Sequence, residues 1–283
     1  MIVEAGARTK GGSMGLAIFV NTSDGFQDCW PPFFELFRLY GGSLCSLPVY
    51  LNTERAEFID SHRSIYSTKV WAETEVRRPC WSQCLRRGLD LVQEEYVLYL
   101  QEDYFFKRPA PEGLFQNALK SIHADPKVGV IYLTPNGSRI KGSKLYSERF
   151  IEICAPADYL INTQAAIWSR KYLQSLLRDW ENGWMFEKFG SLRARRGQRC
   201  HLALTPGSIE EGGYIDYVWT GVMKGKWKRE CVELFSKHGI VMDFERRGFY
   251  REGSRFRSRL EVLNKLIGRP VPAVRSILSV LKG

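Results

Sequence analysis

Nowhere in this chain of 283 residues does an apolar run approach the roughly 18 residues a membrane-spanning helix needs, so no α-helical span is expected. The N-terminal stretch lacks the basic, then apolar, pattern of a signal peptide, and a cytoplasmic location is the expectation. Seven cysteines, at 29, 45, 80, 84, 154, 200 and 231, are an odd number in a chain too long to need disulfide staples. Cys80 and Cys84 stand at helical i,i+4 spacing with no second pair at zinc-ribbon distance, which argues against a ribbon site. Free thiols in a reducing compartment follow. Internal repeats and low-complexity segments are also absent, so repeat architectures are excluded.

What is present is ordinary for a globular domain: 44% apolar and 25% charged residues, with aromatics somewhat high at 13%. Such rings serve pockets for bases and sugars, and equally plain cores. The net charge of +10 is unevenly distributed. Ten Lys and Arg against three Glu from Glu245 to Gly283 give that stretch +7, leaving +3 for the preceding 244 residues. A basic tail on a nearly balanced domain is not the basic face of a nucleic-acid-binding fold, and no nucleic acid is expected as a partner. Three segments result: a loose, glycine-rich leader over 1–14, a domain over 15–250 and a basic tail over 251–283.

Within the domain, Gly15–Val20, Leu47–Leu51, Tyr96–Leu100, Val128–Leu133 and Ala165–Trp168 read as strands, the first and third as continuous apolar runs of buried type. Helical spacing marks Phe33–Tyr40 (with Pro31 and Pro32 in its first turn), Trp81–Leu91, Leu114–Ile122, Lys171–Trp180 and Glu230–His238. Gly190–Arg199 reads as a basic loop and Tyr214–Met223 as strand-like. Strand and helix alternating in this rhythm predict an α/β fold: a mostly parallel, Rossmann-like central sheet with helices on both faces.

Ligands of such sheets bind beyond the carboxyl ends of the strands. Three ends carry polar groups: Thr22, Ser23 and Asp24 after the first strand, Asn52, Thr53 and Glu54 after the second, and Gln101, Glu102 and Asp103 after the third. Their convergence is the sharpest signal in the chain. Taken singly, each also reads as a solvated turn; Asp24 before Gly25 suits an Asx-turn. Carboxylates at Glu102 and Asp103 suit a divalent cation shared with a diphosphate, or sugar hydroxyls without metal.

Tyr96–Phe106, with Gln101-Glu102-Asp103 closing its strand, resembles the strand and acidic motif of GT-A-fold glycosyltransferases. Phe19–Asp24 with Trp30–Phe34, Leu51–Glu54 and Trp81-Ser82 is similar to bacterial transferases that build lipopolysaccharide or capsule. Gln164–Leu173, Asn182–Glu187 and Met223–Trp227 resemble the acceptor segment of that group. The resemblance spans roughly residues 15 to 250, and Gln-Glu-Asp stands where the family has Asp-X-Asp, which leaves metal dependence open.

The resemblance implies a GT-A fold and transfer of a sugar from a nucleotide-sugar donor to a saccharide or lipid-linked acceptor. Thr22, Ser23, Asp24, Glu102 and Asp103 would meet the donor, Asp103 would hold Mg²⁺ or Mn²⁺ if metal is used, and Trp184 and Tyr104 would meet the acceptor. Glu187 would be the base of an inverting reaction. Its environment of Trp184, Phe186 and Phe189 suits a desolvated carboxylate; a plain helix-terminal Glu is the other reading. His238 is open between a late metal ligand and a helix-end residue before Gly239, and Arg193, Arg195, Arg196 and Arg199 between phosphate binding and solvation.

Over Arg255–Lys282, apolar residues at helical spacing oppose Arg and Lys, broken at Gly268-Arg-Pro270, and predict two amphipathic helices. An anionic membrane surface is the expected partner, against docking on the protein itself. Two rival functions meet objections in the sequence. A sugar nucleotidyltransferase would need a basic, glycine-rich loop after the first strand, and Asn21–Phe26 has no Lys or Arg. A nucleic-acid-binding protein would need its charge on the domain.

Overall fold

The structure, a computed structural model, describes residues 15–135, 142–154, 159–251, 268 and 270–282. Over the described residues it is an α/β fold around a mixed nine-stranded sheet with a separate two-stranded hairpin. The strands are β1 (Leu16–Asn21), β2 (Val49–Asn52), β3 (Tyr66–Ser67), β4 (Tyr96–Gln101), β5 (Val128–Tyr132), β6 (Lys144–Leu145), β7 (Phe150–Glu152), β8 (Ala166–Ser169) and β9 (Cys200–Leu204). The hairpin is β10 (Val222–Met223) and β11 (Lys226–Trp227). The sheet order is β3-β2-β1-β4-β8-β5-β9-β7-β6.

Within it, β3, β2, β1 and β4 run parallel, as do β5 and β9. β8 is antiparallel to both its neighbours, and β6 and β7 form an antiparallel edge on β9. The expected sheet is therefore present, with more antiparallel pairing than the apolar runs suggested. Continuous apolar sequence reports burial on both faces, and an antiparallel strand in the middle of a sheet is buried in the same way.

Alternation along β1 divides the core. Leu16, Ile18 and Val20 face one layer with α1 (Trp30–Tyr40), α3 (Glu112–Ala124) and α8 (Glu230–Lys237). Ala17 and Phe19 face the other, with α2 (Trp81–Leu91) and α4 (Arg170–Leu176). Pro31 and Pro32 lie in the first turn of α1, where the missing amide protons have no helical partner. Gly88 of α2 is there for contact: a Cβ would lie 2.0 Å from Asn52 Oδ1, so only glycine lets α2 approach the end of β2.

Three local readings are corrected. Tyr214–Met223 is not a strand; apart from a single bridge from Tyr217 to Phe106, only Val222–Met223 pairs, with β11. Gly190–Arg199 is not simply a loop, because Ser191–Ala194 is helical and Arg193 is buried. The helix expected to reach Trp180 ends at Leu176, where the chain turns to an extended Leu177. Gly183–Met185 (α5) and Ser191–Ala194 (α6) are joined through a π-turn at Phe186–Gly190. α7 is Pro206–Glu210.

Of the two tail helices, the C-terminal one, Pro270–Lys282, is present. The leader over 1–14 and the first tail segment, Arg255–Ile267, lie outside the described residues. No helix among the described residues is long and apolar enough to cross a membrane.

Candidate functional site

The carboxyl ends of three strands are level. Asn21 pairs with Asn52 on one side and Gln101 on the other, so the polar segments after β1, β2 and β4 emerge side by side. From β1 the chain passes through α1 to β2 on one side. It then returns through α2 to β4 on the other, and the connections lie on opposite faces of the sheet. Ligands of open α/β sheets bind at such a switch point.

The residues along its β2 side are tied together. Asn52 Nδ2 donates to Asn21 Oδ1 at 2.9 Å, and Thr68 Oγ1 donates to Asn52 Oδ1 at 3.1 Å. The Asp24 carboxylate accepts from the backbone N–H groups of Glu54 (2.9 Å), Arg55 (2.9 Å) and Ala56 (3.1 Å). Glu54 answers by accepting from Asp24 N at 3.2 Å and from Arg78 Nε at 2.6 Å. Asp24 thus clamps two strand ends, with most of its acceptor capacity taken up. Thr22 Oγ1 accepts from Trp30 Nε1 at 2.9 Å, and Ser23 is half-buried beside it.

Glu102 and Asp103 are buried without an ion pair among the described residues. Asp103 Oδ2 accepts from Val222 N at 3.1 Å, while its buried Oδ1 has no partner. Burial pushes the Asp103 carboxyl up from 3.8 to about 6, against the pull of the Val222 amide. Burial first, then the Asp103 charge beside it, drives Glu102 well above the usual carboxylate range. Cys29 lies beneath, its thiol raised by burial and by the Glu102 charge. These are neighbouring groups that burial and like charge hold away from their ordinary protonation, a pattern concentrated at functional sites.

Two elements close over this pair. Gly221 N donates to Asp103 O at 3.0 Å, and a Cβ on Gly221 would sit 2.4 Å from the Phe105 ring, so the β10–β11 hairpin rests directly on the acidic turn. Arg247 reaches back to Asp28 (2.5 Å) and donates to Gly25 O at 2.7 Å, and its charge bears on Glu102. No sequence signal marked Arg247, one basic residue among many near the tail. Val222 acts through its backbone N–H, which side-chain patterns do not report.

Antiparallel pairing of β8 with β4 brings the segment before β8 to the same end of the sheet, since Tyr99 is opposite Ala166. There Glu187 Oε1 accepts from Thr163 N (2.9 Å) and Thr163 Oγ1 (2.8 Å). Thr163 O in turn accepts from Tyr104 OH at 2.8 Å. Tyr104 stacks on Tyr217 with ring centroids 4.4 Å apart, and Tyr217 OH donates to Gln164 Oε1 at 2.7 Å. Glu187 and the Glu102-Asp103 turn, 84 residues apart in sequence, are therefore joined through Thr163 and Tyr104.

Other expected site residues go elsewhere. Trp184 packs with Met185, Phe189 and Ala273 of the C-terminal helix, with Lys188 Nζ 5.5 Å from its ring. Tyr104 is fully buried, so its hydroxyl positions Thr163 and is not open to a ligand. His238 Nε2 is hydrogen-bonded to Tyr40 OH at 2.9 Å, apart from the acidic pair. The arginines of 193–199 do not gather into a phosphate site: Arg193 pairs with buried Glu181 at 2.6 Å, Arg196 donates to Val280 O and Arg199 to Pro126 O. Among the described residues no three His, Cys, Asp or Glu side chains cluster as a metal site.

Comparison with known proteins adds little. No protein-family model matches the chain, and no curated protein matches it. It is similar to a solved structure, the crystal structure of a mycobacterial protein, at 13% identity and a TM-score of 0.37 over 80% of this chain and 76% of that one. A likeness this loose carries no argument about function.

Proposed function

We propose that this protein is a GT-A-like glycosyltransferase that moves a sugar from a nucleotide-sugar donor to a saccharide acceptor in the synthesis of a surface polysaccharide or lipopolysaccharide. One observation carries the reading. A buried carboxylate pair at a strand switch point is linked through Tyr104 and Thr163 to a second, half-buried carboxylate, Glu187. Donor binding at one and proton removal at the other are what sugar transfer requires.

Thr22 and Ser23 after β1 and Glu102 and Asp103 after β4 would meet the nucleotide. Asp24 contributes by clamping two strand ends. The partnerless Oδ1 of Asp103 is the kind of hard oxygen that takes a divalent cation, so Glu102 and Asp103 would hold Mg²⁺ or Mn²⁺ there. Bound, the cation supplies charge neutralisation for a departing diphosphate. The raised pKa of both acids fits a site whose charge is costly until a counter-charge arrives.

Glu187 serves as general base. Two donors from Thr163 fix Oε1 and so orient the carboxylate. As the acceptor oxygen attacks the anomeric carbon, Glu187 takes its proton. The carbon–oxygen bond to the diphosphate breaks on the opposite face, with inversion, through an oxocarbenium-like transition state. Replacing Glu187 by Gln keeps an acceptor for both Thr163 donors and removes the basicity. On an identified donor and acceptor, turnover should fall by about two to four orders of magnitude with donor affinity retained. Full turnover in Glu187→Gln would remove the assignment.

A further inference from the structure

The C-terminal helix turns Ala273, Ser276, Ser279 and Val280 inward and five large apolar residues outward. Ala273 and Val280 pack with Met185, Phe189, Trp184 and Leu192 of the domain. Ser276, fully buried, accepts from Trp180 Nε1 at 3.0 Å, and Ser279 accepts from Arg193 at 3.3 Å. On the far side Val271 (60% exposed), Val274 (54%), Ile277 (49%), Leu278 (47%) and Leu281 (64%) face solvent. At about 100° per residue these five fall within an arc of roughly 120°. Folding a helix onto its own domain normally buries that arc. Here the docking contacts leave it out, so its apolar character serves something other than this domain's core.

Charge selects the occupant. Arg275, exposed, borders the arc, and Arg196 reaches the helix backbone at Val280. Two copies meeting through this face would bring Arg275 and Arg196 against their own counterparts, whereas an anionic lipid surface is their complement. We propose that the helix lies in the plane of an anionic bilayer surface, with the arc from Val271 to Leu281 sunk among the acyl chains and Arg275 among the headgroups.

The docked face then has a consequence for the site. Met185 and Phe189, which grip the helix, flank Glu187 in sequence, and the π-turn that carries Glu187 is in contact with the helix. Bilayer docking would hold the turn that carries Glu187 on the membrane side of the domain, with Glu187 itself directed away from the helix toward Thr163, so a lipid-linked acceptor would reach round that turn to the base. That consequence rests on the transferase reading; the docking does not.

Sedimentation of the full chain with large vesicles tests the docking without donor or acceptor, so its failure leaves the transferase reading standing. The chain should sediment with vesicles containing about a third anionic lipid, less so as salt is raised, and far less with purely zwitterionic vesicles. A Leu278→Asp, Leu281→Asp double variant, altered only on the exposed arc, should keep the wild-type melting temperature and lose about tenfold or more in vesicle partitioning. The proposal is overturned if the wild-type chain stays in the supernatant with anionic vesicles, or if the double variant sediments as fully as wild type. It is equally overturned if sedimentation velocity shows a wild-type dimer that the double variant dissolves while neither binds vesicles.

Discussion

Asp103 combines near-total burial, one hydrogen bond from Val222 N at Oδ2 and an Oδ1 with no partner, and this permits a worked prediction for Asp103→Asn. Its carboxyl titrates at about 6 in the folded protein, up from 3.8. Below the lower value the side chain is protonated in both states and the shift contributes nothing. Between the two values the native state binds more protons than the unfolded chain, so stability falls as pH rises, and above about 6 the loss is complete. A rise of that size corresponds to about 3 kcal/mol of destabilisation at neutral pH. Asparagine removes the charge but weakens the Val222 bond and adds buried donors, which returns about 1–2 kcal/mol of the gain. The net is about 1–2 kcal/mol in favour of the variant, or a melting temperature higher by roughly 3 °C for a chain of this size. Thermal melts of both proteins in chelator at pH 4 and pH 7.5 provide the assay: the variant's advantage should be present at the higher pH and absent at the lower. An Asp103→Asn protein less stable than wild type by the same margin at both pH values would instead make Asp103 a structural acceptor.

Other perturbations address the frame around the site. Glu181→Ala should cost about 3–5 kcal/mol in urea unfolding, since Arg193 would be left buried with its charge uncompensated. Asp24→Ala should cost about 2–4 kcal/mol, because the amides of Glu54, Arg55 and Ala56 all lose their acceptor; an unchanged melting temperature would show that Asp24 is not a clamp. Gly221→Ala should destabilise by about 1–3 kcal/mol, as its methyl would displace the Phe105 ring and loosen the hairpin from Asp103. Hydrogen exchange at the Val222 amide would report that loosening directly.

Local periodicity made much of this architecture legible. Continuous apolar runs found β1 and β4, helical spacing found α2 at its observed limits, and the polar residues after the strands marked the level strand ends. Length defeated the same signal at β6 and β7, which are two and three residues long. β9 was missed because Cys200–Leu204 follows a basic stretch and carries no alternation. At the site, the strand end pointed to Glu102 and Asp103, and the resemblance to Glu187, as separate candidates. Their connection runs through Thr163, Tyr104 and the antiparallel register of β8, a tertiary fact with no local signature. The resemblance put Trp184 at the acceptor, whereas its ring packs with Met185, Phe189 and Ala273 of the C-terminal helix, a contact with no local signature in the sequence.

The most direct test of the transferase account is nucleotide-sugar binding, followed by thermal shift across common nucleotides and nucleotide sugars with and without Mg²⁺ or Mn²⁺. A ligand held only by the native state stabilises it by about 3 kcal/mol at a hundredfold excess over its dissociation constant. One nucleotide family should give a selective shift, lost in Asp103→Asn and retained in Glu187→Gln. A flat response to every nucleotide, or a shift that Asp103→Asn leaves intact, would contradict the transferase reading.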